Sequence, residues 1–303
     1  MQQSMPTDSG VQESPAPTLT VTVKATSTLT STPTQTPRLP TQTPTSSRTP
    51  RPPTPTPTLT ACMKAGGTVE VSEFKTDLLP QPLVFRIYLP PCYEEQPELA
   101  YPVLYLIHGQ TYTDDQWDRL GVPEIADRLI AAGEAAPFIV VMPRDRVWHE
   151  PAYDHFGIAV EQALIPWVDE HYRTIPDRAH RAVGGLSRGG AWAVRLVMSH
   201  PELFSALGVH SGFVFQSDVK EIHQWLKQMP EDLRPRIYLD IGASDPNLMP
   251  PARWLESILT KYNLPHEWHM FAGYHNEEYW QAHVEDYLRW YTKDWESEQE
   301  PGI

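Results

Sequence analysis

The chain has 303 residues and a formal net charge of −14 at pH 7, a length that allows one large domain or two modest ones. The charge is unevenly spread: residues 1–60 carry four basic and two acidic side chains, leaving −16 for the remainder. So acidic a body is a poor partner for nucleic acid or an anionic membrane. No run of 18 apolar residues is present, which excludes a transmembrane helix, and Met1 to Pro6 open no apolar signal segment.

Residues 1–60 contain 18 Thr, 12 Pro and 7 Ser and no Phe, Trp or Tyr, whereas all ten Trp lie beyond residue 116. A segment of that composition cannot bury enough apolar surface to offset its chain entropy. The expectation is an extended linker or stalk over 1–61, a domain over 62–296 and a tail over 297–303. The repeated Thr-Pro steps, from Thr32-Pro33 to Thr56-Pro57, suit a stalk that holds a domain off a surface. An extracytoplasmic protein is expected, secreted or surface-anchored, with its signal or anchor absent from this sequence. Cys62 and Cys92 flank the first predicted hairpin. As a disulfide they fit an oxidising compartment and contribute about 3 kcal/mol; the alternative is two unrelated buried thiols.

Within the domain, Thr68–Lys75 alternates and reads as an edge strand, and Leu83–Leu89 as a second strand stopped by Pro90-Pro91. Val103–Ile107 and Phe138–Met142 are continuous apolar runs, the mark of strands buried on both faces. Helical spacing covers about 122–132 and 155–172. Ala182-Val183 end a short strand, and Ala191–His200 reads as the helix after it. Ala206–His210, Arg236–Ile241 and His266–Phe271 are strands, separated by helices over 219–228 and 251–261 and followed by one over 277–290. Strands alternating with helices after an initial hairpin predict an α/β fold: a mostly parallel central sheet with helices on both faces. Chemistry in such sheets sits beyond the C-terminal strand ends.

Gly185-Leu186-Ser187-Arg188-Gly189 stands between a predicted strand and a predicted helix, the context a nucleophile elbow requires. Glycines two residues either side of the serine remove side chains that would collide where strand and helix cross. The turn lifts the Ser187 hydroxyl above the sheet and sets the Arg188 N–H at a helix N-terminus, as an oxyanion donor. Asp245 follows the strand ending at Ile241, and His275 the strand ending at Phe271, giving the chain order Ser187, Asp245, His275. In that arrangement His275 takes the serine proton and Asp245 orients the imidazole. Asp240 is the rival acid, and Asp245 also suits a turn before Pro246; His266, His269 and His283 are rival bases in less suitable places. His108-Gly109-Gln110 ends another strand, and the Gln110 N–H is the expected second oxyanion donor. No metal is expected, since H-E-x-x-H and C-x-x-C are absent and His266-x-x-His269 on a strand points its rings to opposite faces. No cofactor is called for.

From about Phe85 to Tyr291 the chain resembles the esterase D branch of the α/β-hydrolases, which includes S-formylglutathione hydrolases, feruloyl and acetyl-xylan esterases, siderophore esterases and mycolyltransferases. The resemblance rests on Tyr101–Gly109, Gly185–Gly190 with His200–Phe204 and Ser211-Gly212, Gly242–Asp245, and Gly273–His275 with Tyr279-Trp280. It implies an α/β-hydrolase fold and serine ester hydrolysis by Ser187, Asp245 and His275. Two positions depart from the family: Arg188 where an apolar residue is usual, and Asn276 where Asp is frequent. The stalk and cysteines argue for an extracytoplasmic esterase over a cytosolic one.

The cleft is expected to be lined by Thr111–Trp117, Arg144–His149 and Phe213–Asp218, with Thr111, Trp117, Arg144 and Trp148 as substrate contacts and Arg144, Arg146 or Arg188 meeting a substrate carboxylate. Loop charges in solvent and packed aromatics are the plainer reading of each. No large insertion lies between Gly212 and Arg236, so no large lid is expected. The expected partner is a small-molecule or polysaccharide-linked ester. The competing readings are an acyltransferase using the same acyl-enzyme, and a non-catalytic carbohydrate- or surface-binding module on a stalk.

Overall fold

The structure is a computed structural model that describes residues 61–146 and 149–295. The expected linker up to residue 60, the expected tail over 297–303, and Trp148 lie outside the described residues. Ala61 opens a short helix, α1 (Ala61–Ala65).

Among the described residues eight strands form a single sheet: β1 (Thr68–Phe74), β2 (Leu83–Leu89), β3 (Val103–Ile107), β4 (Ile139–Pro143), β5 (Arg181–Leu186), β6 (Ala206–His210), β7 (Arg236–Gly242) and β8 (Glu267–Phe271). Their order is β1-β2-β4-β3-β5-β6-β7-β8. β1 pairs antiparallel with β2 and β2 with β4, and every later pairing is parallel. This is the expected α/β-hydrolase architecture with its antiparallel N-terminal hairpin.

The sheet forms because its central strands are apolar on both faces. In β3, Val103, Tyr105 and Ile107 enter one core, while Leu104 and Leu106 enter the other. The first core packs beneath α4 (Phe156–Ala159), α5 (Ile165–His171) and α6 (Arg188–Ser199); the second packs beneath α3 (Val122–Ala131) and α9 (Glu277–Thr292). β1 has one neighbour and leaves Val69 and Val71 exposed, as an edge strand does.

The helix expected over 155–172 is interrupted: a π-helical turn, Val160–Leu164, separates α4 from α5. Pro166 supplies the reason. It has no N–H to donate to residue 162, and its ring crowds that carbonyl, so the chain widens before it. The helix expected over 219–228 is a 3₁₀ turn, Gln216–Asp218, and then α7 (Glu221–Gln228). The helix expected from Ala191 starts at Arg188, and the helix α8 (Met249–Lys261) starts two residues early. The four-residue α2 (Gln116–Arg119) is too short to show a period in sequence.

Cys62 and Cys92 form a disulfide, Cα to Cα 5.0 Å, that ties α1 to the turn after β2. The bond lies at the strand end opposite the C-terminal ends of the parallel strands, because β2 runs against β4.

Candidate active site

The register of the sheet brings the expected residues together. Ile107 of β3 pairs with Gly185 of β5, so the loop that carries Gln110 leaves the sheet next to the turn that carries Ser187 and Arg188. Ser187 sits at the turn from β5 into α6 with φ 54° and ψ −118°, a region L-residues rarely occupy. Space makes the flanking glycines necessary. A Cβ on Gly189 would lie 2.0 Å from the Ile107 carbonyl oxygen, and one on Gly185 would lie 2.3 Å from the Gly189 carbonyl carbon. The Ser187 N–H donates to the His210 carbonyl at 2.8 Å, which fixes the turn from the β6 side.

Asp245 and His275 follow β7 and β8, and their loops are stitched together: the Ala243 N–H donates to the Phe271 carbonyl at 2.7 Å, and the Ser244 N–H to the Gly273 carbonyl at 2.9 Å. His275 Nδ1 lies 2.7 Å from Asp245 Oδ2, and Nε2 lies 2.9 Å from Ser187 Oγ. A carboxylate oxygen only accepts, so Nδ1 carries the ring proton and Nε2 is left to accept from the serine hydroxyl. The Asp245 side chain is 1% exposed and that of His275 31%. Asp245 also serves its turn, since Oδ1 accepts from the Leu248 N–H at 3.0 Å. Chemically, the line can carry a proton from the serine to the imidazole while a fixed anion stabilises the imidazolium.

The rival acid is occupied elsewhere. Asp240 accepts from His210 Nδ1 at 2.6 Å, Tyr279 at 2.6 Å and Tyr287 at 2.8 Å, and His210 Nε2 accepts from Tyr291 at 2.9 Å. Burial, followed by the Asp240 charge, pushes all three tyrosine hydroxyls well above their ordinary range, so they remain donors. Asn276, the second departure from the family, caps α9: its Oδ1 accepts from the Tyr279 N–H at 3.1 Å. Asn and Asp cap equally well, so the exchange costs the loop nothing.

The substrate-contact expectations fare differently. The Trp117 side chain does not line the cleft: the residue is 1% exposed, its Nε1 donates to the Ile107 carbonyl at 3.0 Å, and its ring packs on His210 and Tyr287. Its apolar bulk is better buried than solvated. The Arg188 guanidinium meets this protein's own carboxylates, with Nε 2.7 Å from Asp145 and Nη2 3.2 Å from Asp154 and 2.6 Å from the His149 carbonyl. A side chain that is 6% exposed cannot reach a substrate carboxylate. Thr111 is exposed on the loop after β3, with φ 70°. Arg144 and Arg146 help line a small hollow, open to solvent, together with Pro82 and Phe156.

Sequence reasoning missed the polar groups behind the loop after β3. His108 is 2% exposed and burial holds its pKa below the ordinary histidine value. Its Nε2 accepts from the Asp145 N–H at 2.9 Å, so Nδ1 is the donor to the Gly109 carbonyl at 2.7 Å. On the other side Gln116 accepts from the Gly109 N–H at 2.8 Å. Nothing in the local sequence pattern marks either contact.

The family model described as "Putative esterase" matches residues 77–291. The chain belongs to that family. The chain is 31% identical over 157 residues to an endo-1,4-beta-xylanase/feruloyl esterase of Xylanibacter ruminicola, a match covering 48% of this chain and 20% of that protein. It is 25% identical over 269 residues to an S-formylglutathione hydrolase of Paracoccus denitrificans, covering 75% of this chain and 94% of that one. Among solved structures, a ferulic acid esterase superposes on 76% of this chain and 100% of its own chain, with a TM-score of 0.68 and 25% identity. The chain spans about a fifth to a quarter of the length of the first curated relatives it matches.

Proposed function

We propose that the protein is a serine carboxylesterase working through an acyl-enzyme. The observation that carries this reading is the hydrogen-bonded line Ser187–His275–Asp245, with the loop after β3 leaving the sheet next to the Ser187 turn. His275 Nε2 takes the Ser187 proton as Oγ attacks the ester carbonyl carbon. The carbonyl oxygen becomes an oxyanion and is held by the N–H groups of Gln110 and Arg188. Collapse breaks the bond to the alcohol oxygen, which leaves with the proton from His275. Water then attacks the acyl-Ser187 ester, gives its proton to His275, and releases the carboxylic acid and the free serine.

The relatives named as feruloyl esterases support an ester of an aromatic acid as substrate. So do the exposed rings of Tyr112, Tyr153 and Tyr274 on loops beyond β3, β4 and β8, which offer flat apolar surface to an aryl group or a sugar. The disulfide and the Thr/Pro-rich residues 1–60 support an extracytoplasmic location.

The test is treatment with a fluorophosphonate, followed by intact mass and peptide mapping, alongside turnover of 4-nitrophenyl acetate and methyl ferulate. A single adduct on Ser187, absent from Ser187→Ala, together with turnover of either ester is expected. A folded protein without adduct or turnover overturns the reading in favour of a binding module.

A further inference from the structure

Gln116 is the first residue of α2 and is 0% exposed. Both ends of its amide are used. Oε1 accepts from the Gly109 N–H at 2.8 Å, and Nε2 donates to Glu277 Oε1 at 3.2 Å. The partners are a pure donor and a pure acceptor, so the amide has one orientation. Glu277 is itself fixed, because Arg119 donates to its two oxygens at 3.1 and 2.9 Å. The side chain therefore joins the loop after β3 to the first turn of α9, two residues beyond His275.

The loop it holds is strained and close to the serine. A Cβ on Gly109 would lie 2.7 Å from Leu186 Cδ1 and 3.6 Å from Ser187 Cβ. Thr111, beside Gln110, takes φ 70°, a left-handed conformation that a β-branched residue adopts at a cost. Such a backbone persists where its surroundings over-determine it.

We propose that Gln116 is a positioning residue that sets the spacing between the oxyanion donor Gln110 N–H and the base His275. The proposal rests on the esterase reading above. The amide touches no reacting atom; it prevents the β3 loop from relaxing away from Ser187 and keeps the α9 end from drifting outward. Displacements of about 1 Å at a reacting centre cost up to about 10²-fold in rate. The loss falls on the transition state, because the oxyanion forms only there.

The experiment compares the full chain with Gln116→Met and Gln116→Glu, reading kcat and KM on 4-nitrophenyl acetate from pH 5.5 to 9, with circular dichroism as a check on folding. Met fills the same volume and makes neither bond. A fall in kcat of roughly 10- to 100-fold with KM within about threefold is expected. Glu keeps the acceptor for Gly109 but faces the Glu277 carboxylate, with Arg119 and Asp115 as the other charges there. Like charges so close share a proton at low pH and repel once it is lost. The ratio of Gln116→Glu to wild-type kcat therefore falls as pH rises, a slope that a role in folding alone does not produce. A Gln116→Met enzyme with unchanged kcat, a loss confined to KM, or a Gln116→Glu ratio flat with pH overturns the proposal. An inactive wild-type protein overturns the esterase reading itself, which keeps the two failures apart. If Gln116→Met fails to fold, the pH slope of Gln116→Glu decides.

Discussion

The Arg188 guanidinium and the Asp145 carboxylate form an ion pair at 2.7 Å, with side chains 6% and 1% exposed. Trp192 Nε1 adds a second donor to the same carboxylate oxygen at 2.9 Å. The residue after the serine thus serves twice: its N–H stands at the start of α6, and its side chain fastens the loop after β4. Removing one member of a buried pair leaves the other charge uncompensated, which costs about 3–5 kcal/mol. Arg188→Met, the apolar choice usual in the family, is expected to lower stability by about that amount in urea unfolding. Burial already pushes the Asp154 carboxyl up, so it gains a proton more readily in the variant and the loss is smaller at pH 5 than at pH 8. An unchanged unfolding midpoint contradicts this account.

Asp245 and Asp240 are expected to separate cleanly. Asp245→Asn removes the anion that orients His275 and lowers kcat by roughly 10³–10⁴-fold with little change in Tm. Asp240→Asn leaves that line intact and disturbs a buried polar group, so the larger effect is on stability. Steady-state kinetics and thermal melts on both variants check it; a greater kcat loss in Asp240→Asn reverses the assignment.

The strands were readable because runs such as Val103–Ile107 are apolar at every position, and one reading of such a run is burial on both faces. The juxtaposition of Ser187, Asp245 and His275 is legible because each follows a strand end, where backbone geometry alone limits what the side chain reaches. Trp117 was misread for the opposite reason: a loop aromatic has the same local pattern whether it faces the cleft or turns inward, and the Ile107 carbonyl that decides the matter is supplied by another element. Arg188 and Gln116 share that problem. Asp145 and Asp154 lie 43 and 34 residues from Arg188, and Glu277 lies 161 residues from Gln116, beyond any local pattern.

His108 gives the fold a dependence on pH. Burial holds its pKa below 6.5, so the unfolded chain binds this proton more tightly than the folded one. The contribution is therefore present above 6.5 and is lost as pH falls from 6.5 toward the lowered folded value. Protonation also puts a hydrogen on Nε2, where the Asp145 N–H now donates. His108→Gln is expected to flatten the slope of stability between pH 7 and pH 5, measured by urea unfolding. A slope equal to that of the wild type shows that other groups carry it.

The disulfide is expected to affect stability and leave turnover alone, since it closes a 30-residue separation at the sheet end away from Ser187. Reduction, or Cys62→Ser with Cys92→Ser, is expected to cost about 3 kcal/mol in unfolding while kcat/KM on 4-nitrophenyl acetate stays unchanged. A loss of kcat/KM at a temperature where the protein remains folded contradicts the expectation.

The polar group beneath β6 and β7 draws Tyr279, Tyr287 and Tyr291 from α9 to satisfy Asp240 and His210. Before α9 docks, that carboxylate and imidazole have no such donors, and this face of the sheet cannot dry. The same helix starts two residues after His275, so the docking that satisfies the buried carboxylate also brings the His275 ring to Ser187. Burial of this polar group and placement of His275 opposite Ser187 are thus tied to the seating of one helix.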